Sequence, residues 1–327
     1  MYMRLTKIDL SGAVWCTALE NKLFSNHPAI EHMVMPPNIE IVGCRCFAHC
    51  KNLKEFPILP ESKVYLGPSA FEGCTAIKSI QVKNIWCAQA CFKDMTALET
   101  AHIGCSPGQK LFSGCTALKN VKLTNLPPES QIGANCFENC RALKEMFIPT
   151  QVEAINGCAF QGSGIQKIRI RNEKKITLCR QWDDNTRYLY HIIISAETLI
   201  LHNQALGKSV RSNITRKKKT FIIANKVLVN ETCSFINLFP GVFYSPVIIA
   251  HKEIAQKIAS HTNGHFTFEY LTDAEQKRFF TRRTAKYANT EFKKRAGTFC
   301  MATATQGICW LPPEMQMKIL SFVKMAF

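Results

Sequence analysis

A phenylalanine returns every 20 to 25 residues through the first half of the chain, each time in the same local setting. The segments GCRCFAHCKNLKEFPI, GPSAFEGCTAIKSIQV, CAQACFKDMTALETAHI, LFSGCTALKNVKL, GANCFENCRALKEMFI and NGCAFQGSGIQKIRI align on Phe47, Phe71, Phe92, Phe112, Phe137 and Phe160, at spacings of 24, 21, 20, 25 and 23. Phe24, followed by Ile30, Met33 and Met35, adds a seventh copy. Internal repetition at this period predicts a stacked array, because one such copy is too short to bury its own apolar side chains and its neighbours must do so.

Within a copy the third position after the Phe is small or Cys, the sixth is apolar, and the ninth and eleventh form an apolar pair, as in Phe137, Cys140, Leu143, Met146 and Ile148. Alternation over the last pair predicts a short strand with every second side chain inward, while the Phe and Cys turn fills the core behind it. Glycine before several anchors and proline after the strands, such as Pro149, argue against a run of amphipathic helices. The copies resemble the BspA-type branch of leucine-rich repeats, which read roughly "IGxxAFxxCxxLxxIxIP". That resemblance implies an α/β repeat solenoid, a right-handed array with short strands on one face, followed by a small C-terminal helical segment.

The strong copies occupy 24–170, and degenerate ones extend the array to about residue 260. AETLILHN around Leu199, KTFIIAN around Ile222 and SPVIIAHKEIAQKIAS around Ile248 keep the strand rhythm. The last of these predicts a strand running into a short helix, His251 to Ser260, that seals the open end of the core. The expected organisation is a solenoid over 1–260, a basic helical connector over 261–307 and a final helix over 308–327.

Sixteen cysteines invite a reading as a disulfide framework or metal site. Register gives a simpler account: Cys50, Cys74, Cys115 and Cys140 share one repeat position, and Cys46, Cys91 and Cys136 another, as small buried side chains would. No pair has the CxxC spacing of a structural zinc site. The chain lacks HExxH, GxSxG, GxxxxGK[ST] and the dinucleotide glycine fingerprint, so no catalytic, cofactor or metal residues are nominated and a non-enzymatic binding protein is expected.

The formal charge of +17 favours anionic partners without specifying one. Lys54, Lys78, Lys119 and Lys144 recur at one outward position and form a candidate target-binding face for an acidic protein patch. Arg216 to Lys219 is a solvated loop or a nuclear signal, and no aromatic residues interleave its charges as a single-strand nucleic-acid platform requires. The start MYMRLTKIDL lacks an apolar signal core, and no apolar run approaches the ~20 residues of a membrane span. A reducing, cytoplasmic setting is expected, that of a host cell included, with the nucleus as alternative.

From Leu271 a proline-free stretch with Thr272 and Glu275 in capping-box spacing predicts a helix with a basic face. The chain then ends WLPPEMQMKILSFVKMAF, where Pro312 and Pro313 start a helix with Leu311, Met315, Ile319, Phe322 and Val323 on one apolar face. LPPEMQMKILSFV resembles the opening of an F-box, "LPxExxxxILxxL", in truncated C-terminal form. The resemblance assigns Leu311, Pro312, Glu314, Met315, Ile319, Leu320 and Val323 to docking on a Skp-type ubiquitin-ligase adaptor. It implies a host-directed adaptor, of the viral or intracellular-bacterial kind, whose solenoid captures a target protein. Two other classes stand beside it: a plain interaction or adhesion module, and a basic nucleic-acid or membrane-surface binder.

Overall fold

The computed structural model describes residues 5–57, 64–83, 85–183, 186, 188, 189, 191–202, 205, 219–229, 247–260 and 267–271. By its contacts the chain divides into 1–270 and 271–327, and of the second unit only Leu271 is described. Strands β1 (Lys7–Asp9), β2 (Ala18–Leu19), β3 (His32–Val34) and β4 (Ile41–Val42) open the array. Next come β5 (Val64–Leu66), β6 (Ser79–Val82), β7 (Ile85–Cys87), β8 (Thr100–Ile103) and β9 (Asn120–Leu123). The strong copies end with β10 (Ser130–Ile132), β11 (Glu145–Ile148), β12 (Val152–Ile155), β13 (Lys167–Arg171) and β14 (Lys175–Leu178). Two long strands, β15 (His191–Leu201) and β16 (Lys219–Val229), lead to β17 (Val247–His251), helix α1 (Lys252–Ala259) and β18 (Thr267–Leu271).

Among the described residues these elements make a β-solenoid of about eight turns with very little helix. The expected strands pair in parallel as a first ladder, β1 with β3, β6 with β8, β8 with β9, and β11 with β13, although residues 54–57 after Phe47 form none. A second ladder, which the sequence reading did not foresee, runs just before each Phe: β2, β4, β5 and β7 pair in parallel, and so do β10, β12 and β14. Its strands are two to four residues long. Most turns therefore contribute two strands and an intervening Phe corner, whereas 54–57 form no first-ladder strand and 104–108 no second-ladder strand.

That corner is itself bonded from turn to turn. The amides of Phe47, Phe71, Phe92, Phe112 and Phe137 donate to the carbonyls of Ala70, Cys91, Leu111, Cys136 and Ala159, at 2.7–3.1 Å. Two left-handed residues bracket each anchor, for instance Asn135 (φ 56°) and Asn139 (φ 58°) around Phe137, and at the second of these sites glycine serves in Gly73, Gly114 and Gly162. The six anchor rings are fully buried and stack at centroid distances of 5.0–6.2 Å, with Phe24 at one end and Trp182 meeting Phe160 edge-on at the other.

The cysteines fill the register positions expected of them. Cys50, Cys74, Cys115 and Cys140 are buried, and each thiol donates to the carbonyl of the Phe one turn earlier, Phe24, Phe47, Phe92 and Phe112, at 3.0–3.2 Å. Burial pushes these thiols up, Cys50 to about 11 and Cys115 to about 12.

Chain corners keep the two ladders apart until β15. Between β11 and β12 the corner is Pro149 to Gln151, and between β13 and β14 it is Asn172, whose Oδ1 accepts from the amides of Lys174 and Lys175 while its Nδ2 donates to the Val152 carbonyl. HIIISAETLIL has no such corner, so β15 runs straight and joins both: His191 to Ser195 pair with β13, and Thr198 to Leu201 with β14. β16 and β17 continue the merged sheet. Helix α1 covers them with Ile254, Ala255 and Ile258, which fall on one helical face, and β18 pairs with β17 beyond residue 260.

Candidate binding surfaces

Lys54, Lys78, Lys119 and Lys144 each follow a buried residue (Leu53, Ile77, Leu118 and Leu143) and are exposed at the head of the first ladder. Backbone bonds align them into columns with the same position of neighbouring turns: Lys54 with Glu31, Lys78 with Glu99 and then Lys119, and Lys144 with Gln166. The row is consequently of mixed sign. Lys54 pairs with Glu31, and Lys119 with Glu99 at 2.9 Å; hydrogen bonds from those ammonium groups hold both carboxyls below the usual carboxylate range. Lys78 adds to the field on Glu99. Lys144 donates to the Arg141 carbonyl and lies 5.6 Å above the Tyr188 ring.

A different row presents apolar surface. On the second ladder Ala18, Ile41, Tyr65 and Trp86 stand opposite one another in register, and the alternation of β4, β5 and β7 turns them outward. Ile41, Tyr65 and Trp86 remain 45%, 44% and 65% exposed. Nothing in the sequence reading singled them out; the signal available to it was the apolar residue one place before Val42, Leu66 and Cys87. Aromatic residues exposed in contiguous rows are the side chains that dominate binding energy at protein interfaces.

The row ends where the second ladder is interrupted, between β7 and β10. Gly104 to Gly108, with Pro107 unable to donate a ladder bond, forms no strand there. A recess of 570 Å3 opens beside it, lined by Ser106, Gly108, Gln109, Glu129, Gln131 and Asn156 among others. Ser106 Oγ and Gln131 exchange bonds, Oγ donating to the Gln131 carbonyl at 3.1 Å and accepting from its amide at 2.9 Å.

Among the described residues no group of three or more His, Cys, Asp or Glu side chains is arranged to hold a metal ion, and no helix is long and apolar enough to cross a membrane. Leu311, Pro312, Glu314, Met315, Ile319, Leu320 and Val323 lie outside the described residues, as do Arg216 to Lys218 and the basic stretch after Leu271.

Stacked parallel turns, a Phe-lined core and open outer faces define a repeat solenoid. The chain belongs to the BspA-type leucine-rich repeat family: the model of the BspA type leucine rich repeat region, in six copies, matches residues 17–126 and 106–237. Among solved structures, a leucine-rich repeat protein from Bacteroides ovatus is 17% identical with a TM-score of 0.45, covering 82% of this chain and 54% of that one. This chain thus spans about half the length of the Bacteroides ovatus protein. A leucine rich cell surface protein from Faecalibacterium prausnitzii is 16% identical (TM-score 0.35, 80% and 85% covered). The pneumococcal vaccine antigen PcpA is 12% identical (TM-score 0.38, 81% and 78% covered). No curated protein matches.

Proposed function

We propose that this chain is a non-enzymatic protein-binding module that holds a partner protein on the outer face of its second ladder. The observation that carries the reading is the in-register row of Ile41, Tyr65 and Trp86, exposed on a scaffold whose own core is already filled. Rigid aromatic side chains on a strand ladder lose little conformational freedom when covered, which is the economy a hot spot needs. The lysine row contributes orientation to an acidic partner more than affinity, since Lys54 and Lys119 already face Glu31 and Glu99. Capture of partner proteins by the full chain and by Tyr65→Ser/Trp86→Ser, followed by affinity measurement on the purified partner, tests this. A partner whose affinity is unchanged by the double substitution, in a variant that keeps its circular dichroism, sinks the assignment of the row.

A second reading rests on LPPEMQMKILSFV. Its likeness to an F-box opening supports an adaptor role, in which Leu311, Pro312, Glu314, Met315, Ile319, Leu320 and Val323 recruit a Skp-type subunit of a ubiquitin ligase to whatever the solenoid holds, within a host cytoplasm or nucleus. Co-purification with that subunit before and after removal of residues 308–327 decides it. Equal recovery from both chains removes the ligase link and leaves a plain interaction or adhesion module. Leu311→Asp and Ile319→Asp should each abolish recovery while the solenoid stays folded.

A further inference from the structure

We propose that Tyr65 and Trp86, together with the polar recess further along the same row, form a binding site for a neutral oligosaccharide carried by the partner that the second ladder holds. The site rests on the second-ladder row being the binding surface. Tyr65, Trp86, Ser106 and Gln131 each stand six places before an anchor, Phe71, Phe92, Phe112 and Phe137, so they take the same position on four successive turns. Bonds between the turns hold that order. Tyr65 pairs with Trp86, the Ala90 amide donates to the Gln109 carbonyl at 2.9 Å just beyond Trp86 and Ser106, and Ser106 and Gln131 bond to each other. The row thus passes from aromatic to polar without leaving its register. Three steps of ~4.8 Å put Gln131 about 14 Å from Tyr65, the reach of a short linear oligosaccharide.

The polar half of the row opens into the 570 Å3 recess. Ser106, Gln109, Glu129, Gln131 and Asn156 supply its polar lining, and the rest is glycine and one alanine. No lysine or arginine lines it, and no apolar side chain larger than a methyl group. Gln131 Oε1 accepts from Asn156 Nδ2 at 3.3 Å, while the side chains of Gln109 and Glu129 make no hydrogen bond or ion pair among the described residues. An apolar peptide side chain entering here would strip water from the amides and the carboxylate and pair none of them. An anionic group would meet Glu129 with no lining cation to offset it.

A sugar hydroxyl both donates and accepts. Primary amides answer both roles, and a carboxylate accepts from neighbouring hydroxyls. The C–H face of a pyranose ring is apolar, and an exposed aromatic ring is the side chain suited to cover it. Two exposed aromatic residues leading into a recess of amides, a hydroxyl and one carboxylate therefore fit a neutral carbohydrate better than an apolar peptide or a phosphate.

The test uses the full chain. Saturation-transfer NMR is run with linear tetrasaccharides of glucose, mannose, galactose and N-acetylglucosamine, and with a heparin tetrasaccharide as the anionic control. At least one neutral sugar should bind saturably and persist at high salt. The same sugar should move one tryptophan indole resonance of the wild-type chain, the one missing from Trp86→Phe. Trp86→Ser and Gln109→Ala/Gln131→Ala should each weaken it by about tenfold or more, whereas Lys54→Gln/Lys119→Gln should leave it unchanged. Circular dichroism verifies each variant, and the indole shift in the wild-type chain decides alone if a variant fails to fold. Binding of no neutral tetrasaccharide, binding of heparin alone, or neutral-sugar binding that leaves the Trp86 indole unmoved would each overturn the proposal. The protein-binding reading fails separately: it falls if Tyr65→Ser/Trp86→Ser leaves partner affinity unchanged, and it stands without the sugar if that variant loses the partner while no neutral tetrasaccharide binds.

Discussion

At the scale of single residues, the anchor ring and the corner glycine do different work and should fail differently. Phe112 is fully buried between Phe92 and Phe137, at 5.7 Å from each, so Phe112→Ala leaves a void that the stack cannot close from either side. The expected loss is about 3–5 kcal/mol, read from the urea midpoint. Gly133→Ala puts a methyl 2.4 Å from the Gln109 amide nitrogen and the Gly108 carbonyl carbon, backbone that cannot yield cheaply, and should cost ~1–3 kcal/mol. Gly108→Ala meets nothing closer than 3.8 Å and should be neutral or stabilising by up to about 1 kcal/mol. If the two glycine variants shift the midpoint equally, the close approach of Gly108 and Gln109 to Gly133 is not what makes that site intolerant. The buried thiols make a third prediction. Cys46, Cys50 and Cys115 hold their protons in the folded chain to about 12, 11 and 12, but release them near 9.0 when unfolded. Their contribution is complete below pH 9 and is lost as pH rises from there towards 11–12, by up to ~1.4 kcal/mol per pH unit for each thiol. Stability measured under reducing conditions from pH 8 to 10.5 should therefore fall, and a flat profile would contradict it.

Among the elements, α1 is where the array depends on a single amphipathic face. Ile258 is fully buried and Ile254 nearly so against the merged sheet. Ile258→Asp strands a carboxylate in that core, and hydrogen exchange should show protection lost first from β16 and β17, with the Phe stack from Phe47 to Phe137 still protected, because each turn contacts only its neighbours. Uniform loss along the chain would mean the array unfolds as one unit. The elements also show what a sequence can declare. The first ladder was legible because apolar pairs nine and eleven places after the Phe repeat six times, with Ile168 and Ile170 one place earlier in the Phe160 copy, and α1 because its apolar spacing follows a strand. The second ladder was not, since strands as short as Ile41–Val42 carry no periodicity of their own and exist through bonds to the turns on either side. The row of Ile41, Tyr65 and Trp86 went unseen for the same reason. In the lysine row the positions of Lys54 and Lys119 were readable, but the answering Glu31 and Glu99 needed the rung alignment to be seen as partners.

Across the whole molecule, charge is unevenly placed. Residues 1–183 hold 21 Lys and Arg against 15 Asp and Glu, whereas 184–327 hold 20 against 9. Elution from an immobilised polyanion should need less salt after Arg216, Lys217, Lys218 and Lys219 are changed to Gln than after Lys54 and Lys119 are, because the latter two already face carboxylates. Equal shifts would place the polyanion on the lysine row. The stacked Phe rings carry one last consequence. Ring-to-ring steps of 5.0–6.2 Å are close to the ~4.8 Å between neighbouring strands, so a ring and its two strands advance together as one increment of length. Between Phe24 and Phe160 a gene could gain or lose the codons of one copy and deliver a protein one increment longer or shorter, its ends unaware of the change. Past β15, where the two ladders share a strand, that freedom ends, and such a cut would sever both at once.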